Sequence, residues 1–211
     1  MTSEEQQLII QRYNERLHDM GETPQALGWR DSRQQELRFK ILAEIGSLEG
    51  VSVLDIGCGF GDLLDYFNAS ERGVVSYTGT DLNPALIEVA QKRHMQAQAR
   101  FLATTDLSQF ETGSLDYVFL RGLFNFKIQD NTGFMQDTAR ESFRIARKGV
   151  AFNLLGSYVD FKDDHLFYHQ EQQVFEFAKS LTRFVTLRAD YPLYEFTVYL
   201  HQPAHVKAQS A

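Results

Sequence analysis

The decapeptide VLDIGCGFGD, residues 53–62, sets Gly57, Gly59 and Gly61 on alternate positions directly after four mostly apolar residues. Glycine costs backbone entropy, so three in five residues imply a turn that side chains cannot make or an approach they would block. The run reads as the end of a buried strand turning sharply into a helix. That places the glycines at the carboxyl edge of a sheet, where open α/β folds bind their ligands. A bare strand-to-helix turn would suffice for a lone glycine. Here the spacing itself is informative. It is neither the G-x-G-x-x-G of nicotinamide folds nor a phosphate loop, which ends in Gly-Lys-Ser/Thr.

Working outward, β-rich runs at VSVLDI, VVSYTGTD, RFLA, LDYVFLR and VAFNLL alternate with helical patterns. The helical segments are GDLLDYFNA, NPALIEVAQKRH and DNTGFMQDTARESFRIARK, with Asn83 as a cap and Pro84 in the first turn. Such alternation implies right-handed crossovers and a parallel sheet covered on both faces. The end of the chain breaks the pattern. A helix over QEQQVFEFAKSL precedes FVTLRADY and YEFTVYLHQ, two strands joined so closely that they must be antiparallel. The fold class is therefore α/β: a doubly wound seven-stranded sheet of five parallel strands plus a C-terminal antiparallel hairpin, with helices on both faces. Ahead of it, SEEQQLIIQRYNERLHDMG forms a helix capped by Ser3 and ended by Gly21. A second helix runs from Ser32 to Ile45 and closes at Gly46, and ETPQALGWRD between them carries the sole tryptophan.

The whole reads as one domain, 1–211, with an N-terminal helical lid over 1–46, a core over 47–201 and a loose tail over 202–211. With 43% hydrophobic and 23% charged residues the composition is that of a soluble globular protein. No apolar run approaches the roughly 20 residues of a membrane span, and MTSEEQQL does not read as a secretory signal. The single cysteine, Cys58, excludes an internal disulfide and a cysteine-based zinc site, which suits a cytoplasmic address. A net charge of −7 and a pI near 5.4 argue against broad phosphate-backbone binding.

Three acids line up with the strands. Asp55 lies two residues before Gly57, Asp81 ends the second strand 26 residues later, and Asp106 follows the third. A carboxylate at the end of the second strand can accept both hydroxyls of a ribose, as acids do in dinucleotide folds. An acid after the third could accept an adenine amino proton. DIGCGFG, YTGTDLNPALI, ATTDLSQF and GSLDYVFLRGLF, in this order and closed by the hairpin, resemble the motifs of class I S-adenosylmethionine-dependent methyltransferases. The resemblance spans residues 32–200 and implies a Rossmann-like fold with S-adenosyl-L-methionine as cofactor. It implies that Gly57, Gly59 and Gly61 line the methionine part, with Asp55 near its amino group. Asp81 would take the ribose hydroxyls, Leu82 would lie against the adenine, Asp106 would hold the adenine amino group, and Leu107 would sit beside it. Arg121 would face the methionine end or the acceptor. Cys58, within the glycine turn, reads as a small core residue rather than a nucleophile. Methyl transfer is an in-line displacement that needs alignment and water exclusion, so no metal is expected.

In a parallel sheet the loops after the strands open on one edge, and three remain for an acceptor. RGLFNFKIQD offers Asn125, GSYVDFKDDHLFYH offers Tyr158, Asp160, His165 and Tyr168, and DYPLYEF offers Tyr191 and Glu195. The N-terminal lid would turn Tyr13, Trp29 and Arg33 toward the same edge. His165 or Tyr168 is the candidate base, and carboxylates among polar-tipped aromatics suit an acceptor with amine or hydroxyl character. For any one of these aromatics, plain packing is the simpler reading. The function expected is methyl transfer to O or N of a small metabolite. The alternatives are a nucleic-acid or protein methyltransferase and a non-catalytic cofactor-binding partner protein. No membrane partner is expected, and oligomeric state is not legible.

Overall fold

The computed structural model describes residues 1–70, 73–74 and 76–209. Seven strands stand in the order β3-β2-β1-β4-β5-β7-β6, a mixed sheet with antiparallel pairing at its C-terminal end. The chain divides into two compact units, Met1–Asp106 and Leu107–Ala211.

In the first unit, β1 (Ser52–Ile56), β2 (Ser76–Asp81) and β3 (Ala99–Ala103) pair in parallel, with Asp55 opposite Gly79 and Asp81 opposite Ala103. β1 is buried along all but its first residue, the continuous apolar run that a strand covered on both faces requires. α3 (Asp62–Ala69) links β1 to β2, and α4 (Pro84–Arg93) links β2 to β3. The Asn83 side chain accepts from the Ala85 amide with Pro84 in the first turn, as the sequence predicts. α1 (Ser3–Met20) starts one residue earlier than expected. Thr2 is its cap and exchanges hydrogen bonds with Glu5, because that pair completes a reciprocal capping box. α2 (Ser32–Leu42) is capped by Asp31 and ends in a single 3₁₀ turn, Ala43–Ile45, before Gly46.

In the second unit, β4 (Leu115–Leu120) pairs in parallel with β5 (Ala146–Leu155). β7 (Glu195–His201) runs antiparallel to β5, and β6 (Val185–Arg188) antiparallel to β7, so β6 shares the direction of β4 and β5. α5 (Asn131–Ile145) precedes β5, and α6 (Glu171–Leu181) precedes β6. The sequence pattern carries α5 through Lys148, but the helix stops at Ile145 and β5 begins at once. Arg147 and Lys148 lie in the strand, paired with the Asp116 carboxylate, at a bulge where β5 holds an extra residue.

The tail expected to be loose carries a further helix. Residues Pro203–Gln209 form α7, because Pro203 suits a first helical turn and the Gln202 side chain donates to the carbonyls of Phe143 and Ala146. The last two residues of that tail lie outside the described residues.

Candidate functional site

The glycine turn is built from main chain. Gly57, Gly59 and Gly61 all have left-handed backbones, with φ of 77°, 56° and 83°. The Gly57 and Cys58 amides both donate to the Thr80 carbonyl, at 2.8 and 3.0 Å, which ties the turn to the neighbouring strand. Asp81 then clamps the two loops from its place at the end of β2. One carboxylate oxygen accepts from the Gly59 amide at 3.0 Å and the other from the Asn83 amide at 2.9 Å. An ionised carboxylate oxygen can accept more than one donor, so this clamp is compatible with a ligand hydroxyl on the same group.

What comes close to the glycines differs along the turn. A Cβ on Gly61 would meet His94 Nε2 at 2.7 Å and Phe101 at 3.0 Å, so protein packing already accounts for that residue. His94 stacks on Phe101, lies 3.2 Å from the Phe60 carbonyl oxygen and reaches Asp65 at 3.6 Å. Burial raises the Asp65 carboxyl above its usual range, against the pull of His94. A Cβ on Gly59 would lie 3.0 Å from a methyl of Leu27. The segment between α1 and α2 therefore covers the middle of the turn. Ala26 and Leu27 form a buried cluster with Phe60 and Leu86, and Tyr13, Leu17 and Trp29 pack against it.

Polar straps hold this cover down. Asn83 Nδ2 donates to Asn14 Oδ1, and Arg93 donates to the Glu22 side chain and carbonyl and to Asp62. Gln35 donates to the other Asp62 oxygen. Trp29 carries a guanidinium 4.7 Å above its ring, but it belongs to Arg38, which is buried on α2. Arg33 is exposed, because it stands outside that buried face. Arg38 is thus the arginine of α2 that meets the tryptophan, while Arg33, expected to turn toward the edge, is exposed. Gln35, Arg38, Phe39 and Leu42 recur on one helical period and form the buried face of α2.

The remaining first-unit candidates take separate places. Asp55 is fully buried, and the Tyr77 hydroxyl donates to its Oδ2 at 2.5 Å. Cys58 is buried, and its sulfur would stand 2.8 Å from a Cβ on Gly79. Leu82 is half-buried beside Asp81. Asp106 is exposed after β3, with its amide donating to Thr104 Oγ1.

In the second unit the polar groups gather by side chains. Asn153, buried on β5, donates to Glu195 Oε2 at 2.6 Å and accepts from the Gly122 amide at 3.2 Å. Glu195 was expected in an open hairpin turn. It is instead the buried first residue of β7, because it pairs in register with Leu155 and meets Asn153. Tyr191 is likewise buried rather than open, its hydroxyl 2.9 Å from Thr197 Oγ1. Arg121 is buried at the end of β4, and Leu107 is buried in a single 3₁₀ turn.

The loops after β4 and β5 are stitched together. Lys127 donates through its amide to the His165 carbonyl, Phe167 to the Asn125 carbonyl, and Phe126 bridges Leu166. Asn125 is half-buried between these bonds. Of the two candidate bases, His165 is exposed and Tyr168 accepts the Asp163 amide on its hydroxyl. Tyr158 stands 86% exposed, while the Tyr194 hydroxyl donates to Asp160. A residue the sequence reading passed over is His169, enclosed by Phe124 and Phe167. Burial lowers its pKa to about 4, outweighing the Phe124 carbonyl and the charge of Glu171. Among the described residues no helix is long and apolar enough to cross a membrane.

Residues 54–147 match a family model described as a methyltransferase domain. A Mycobacterium tuberculosis (strain ATCC 25618 / H37Rv) protein named as methyltransferase Rv1506c is 30% identical over 167 residues, 75% of this chain and 97% of the relative. Among solved structures, magnesium protoporphyrin IX methyltransferase from Synechocystis PCC 6803 with bound SAH superposes with a TM-score of 0.65. It covers 93% of this chain and 99% of its own at 16% identity. A SAM-dependent methyltransferase from Aquifex aeolicus gives 0.57 at 19% identity, over 81% and 93% of the two chains.

Proposed function

We propose, for a chain that belongs to the class I S-adenosylmethionine-dependent methyltransferases, that it moves the cofactor's methyl group to O or N of a small metabolite. The observation that carries the reading is the clamp at the glycine turn. Left-handed Gly57 and Gly59 leave bare main chain at the carboxyl end of β1, and the Asp81 carboxylate is fixed against that chain by two amides. A nucleoside bearing vicinal hydroxyls suits such a carboxylate, and a cationic sulfonium suits an acidic protein of net charge −7. The donor set fits the cofactor.

In this reading Gly57 and Gly59 take the methionine part, Asp81 the ribose, and Leu82, Asp106 and Leu107 the adenine. When bound, the cofactor supplies an electrophilic methyl on sulfonium. The chain supplies alignment and a dry floor, and Asp55 and Arg121 are the charged groups assigned to the methionine end. Residues 1–46 serve as the lid, with Leu27 over Gly59 and Tyr13 and Trp29 behind it. We assign the acceptor to the loops that carry Asn125, Tyr158 and Asp160, with His165 or Tyr168 as the proton acceptor. The acidic balance favours a small acceptor over a nucleic acid.

Calorimetry with S-adenosylhomocysteine tests the first half: a one-to-one isotherm is expected. Incubation of a metabolite extract with methyl-labelled cofactor tests the second. Label transfer to a small molecule is expected, and transfer to RNA or protein alone would replace the acceptor reading.

A further inference from the structure

We infer that Tyr77 is a positioning residue of the cofactor site, acting through Asp55; the inference rests on the cofactor reading above. Asp55 is fully buried on β1, two residues before the glycine turn. A carboxylate removed from water is held ionised only if donors replace the lost hydration. The Tyr77 hydroxyl is one such donor. It reaches Asp55 Oδ2 at 2.5 Å from β2, and Tyr77 is itself buried. A hydrogen bond to an ionised acceptor is about twice as strong as a neutral one.

The geometry also fixes direction. Asp55 pairs in register with Gly79, and Tyr77 pairs with Val53, so both side chains leave neighbouring strands within one pleat repeat. Phe101 on β3 holds the Tyr77 ring at a centroid distance of 5.8 Å. The ring therefore cannot follow the carboxylate if it swings. Gly79, where a Cβ would strike Cys58 and Phe101, leaves the space that lets this pair and the glycine turn share one floor. Tyr77 thus fixes Asp55 two residues ahead of Gly57, whose amide is tied to the Thr80 carbonyl. A tyrosine buried in a strand reads as core from sequence, and only its hydroxyl partner shows otherwise.

Tyr77→Phe keeps the ring and removes the donor. Calorimetry with S-adenosylhomocysteine is expected to show affinity about ten-fold weaker for this variant. In an Asp55→Ala background the same substitution is expected to have no further effect, since the acceptor is gone. The acid side of the affinity–pH profile should also move to higher pH in Tyr77→Phe, because a carboxylate that loses a donor is easier to protonate. A role in packing alone would shift melting temperature and leave that profile in place. Equal affinity in wild type and Tyr77→Phe, or an equal loss in the Asp55→Ala background, overturns the inference. If Tyr77→Phe melts before it can be titrated, the Asp55→Asn and Asp55→Glu single variants decide: full affinity in both removes Asp55, and Tyr77 with it. Absence of binding by the wild-type protein is a different result, and it removes the cofactor reading itself.

Discussion

The glycine turn of the first unit and the polar nest of the second both sit at strand ends, but they are held by different parts of the chain. Around Gly57–Gly61 the partners are amides and carbonyls, with Asp81 as the side chain that bridges two of them. Around Asn153 the partners come from places far apart in sequence, the Glu195 side chain and the amide of Gly122 just after β4. Main-chain sites are rigid because strand and helix geometry fixes them. Side-chain sites depend on each member being present. The first kind suits a cofactor common to a family, and the second can be altered residue by residue to take a new acceptor.

Gly59→Val attacks the main-chain side of this contrast most directly. Its Cβ alone would lie 3.0 Å from a Leu27 methyl, before either branch is added, on a backbone of φ 56° that valine resists. The expected outcome is loss of the S-adenosylhomocysteine isotherm with a retained α/β circular dichroism spectrum. A normal isotherm would mean that the glycines serve only the turn.

The second unit adds a titration of its own. His169 holds a pKa of about 4 against 6.5 for the unfolded residue. The native state keeps it neutral, so its contribution is complete above pH 6.5. It is lost as pH falls from 6.5 toward 4, where the unfolded chain takes up the proton first. The difference is worth at most about 3 kcal/mol. Urea unfolding between pH 7 and pH 4 should show this fall, and His169→Gln should flatten it. An unchanged slope in the variant would place the acid sensitivity elsewhere.

The difference between the regions also explains what the sequence disclosed. Glycine spacing and a cap such as Asn83–Pro84 are local signals, so the turn, α4 and the alternation of strands with helices were legible in the residues themselves. Asp81 was legible because strand ends are countable. Arg38 could have been found from the helical period, but Arg33 looked equivalent without knowing which face is buried. The Asn153–Glu195 pair was not legible. It joins residues 42 positions apart whose meeting depends on the antiparallel register of β5 and β7. Glu195 looked like a turn residue because DYPLYEF reads as one long loop until the register closes it.

Asp81→Ala measures how much of the first site is side chain. It removes acceptors from the Gly59 and Asn83 amides as well as the partner proposed for the ribose. Affinity for S-adenosylhomocysteine should fall by about 1–3 kcal/mol, the range for leaving buried donors without acceptors. Unchanged affinity would take Asp81 out of the site and leave the turn as the whole of it.

Asn153→Ala is the smallest of these changes and sets the limit of the contrast. It removes the acceptor that the Gly122 amide uses and the donor that reaches Glu195 at 2.6 Å. Stability to urea should fall by about 1–2 kcal/mol. Affinity for S-adenosylhomocysteine should stay within about two-fold, since additivity holds for sites that share no partners. A drop in affinity comparable to that of Asp81→Ala would show that the side-chain nest also positions the cofactor. The acceptor could then not be changed independently of it, because every substitution that retuned the nest would disturb the donor as well.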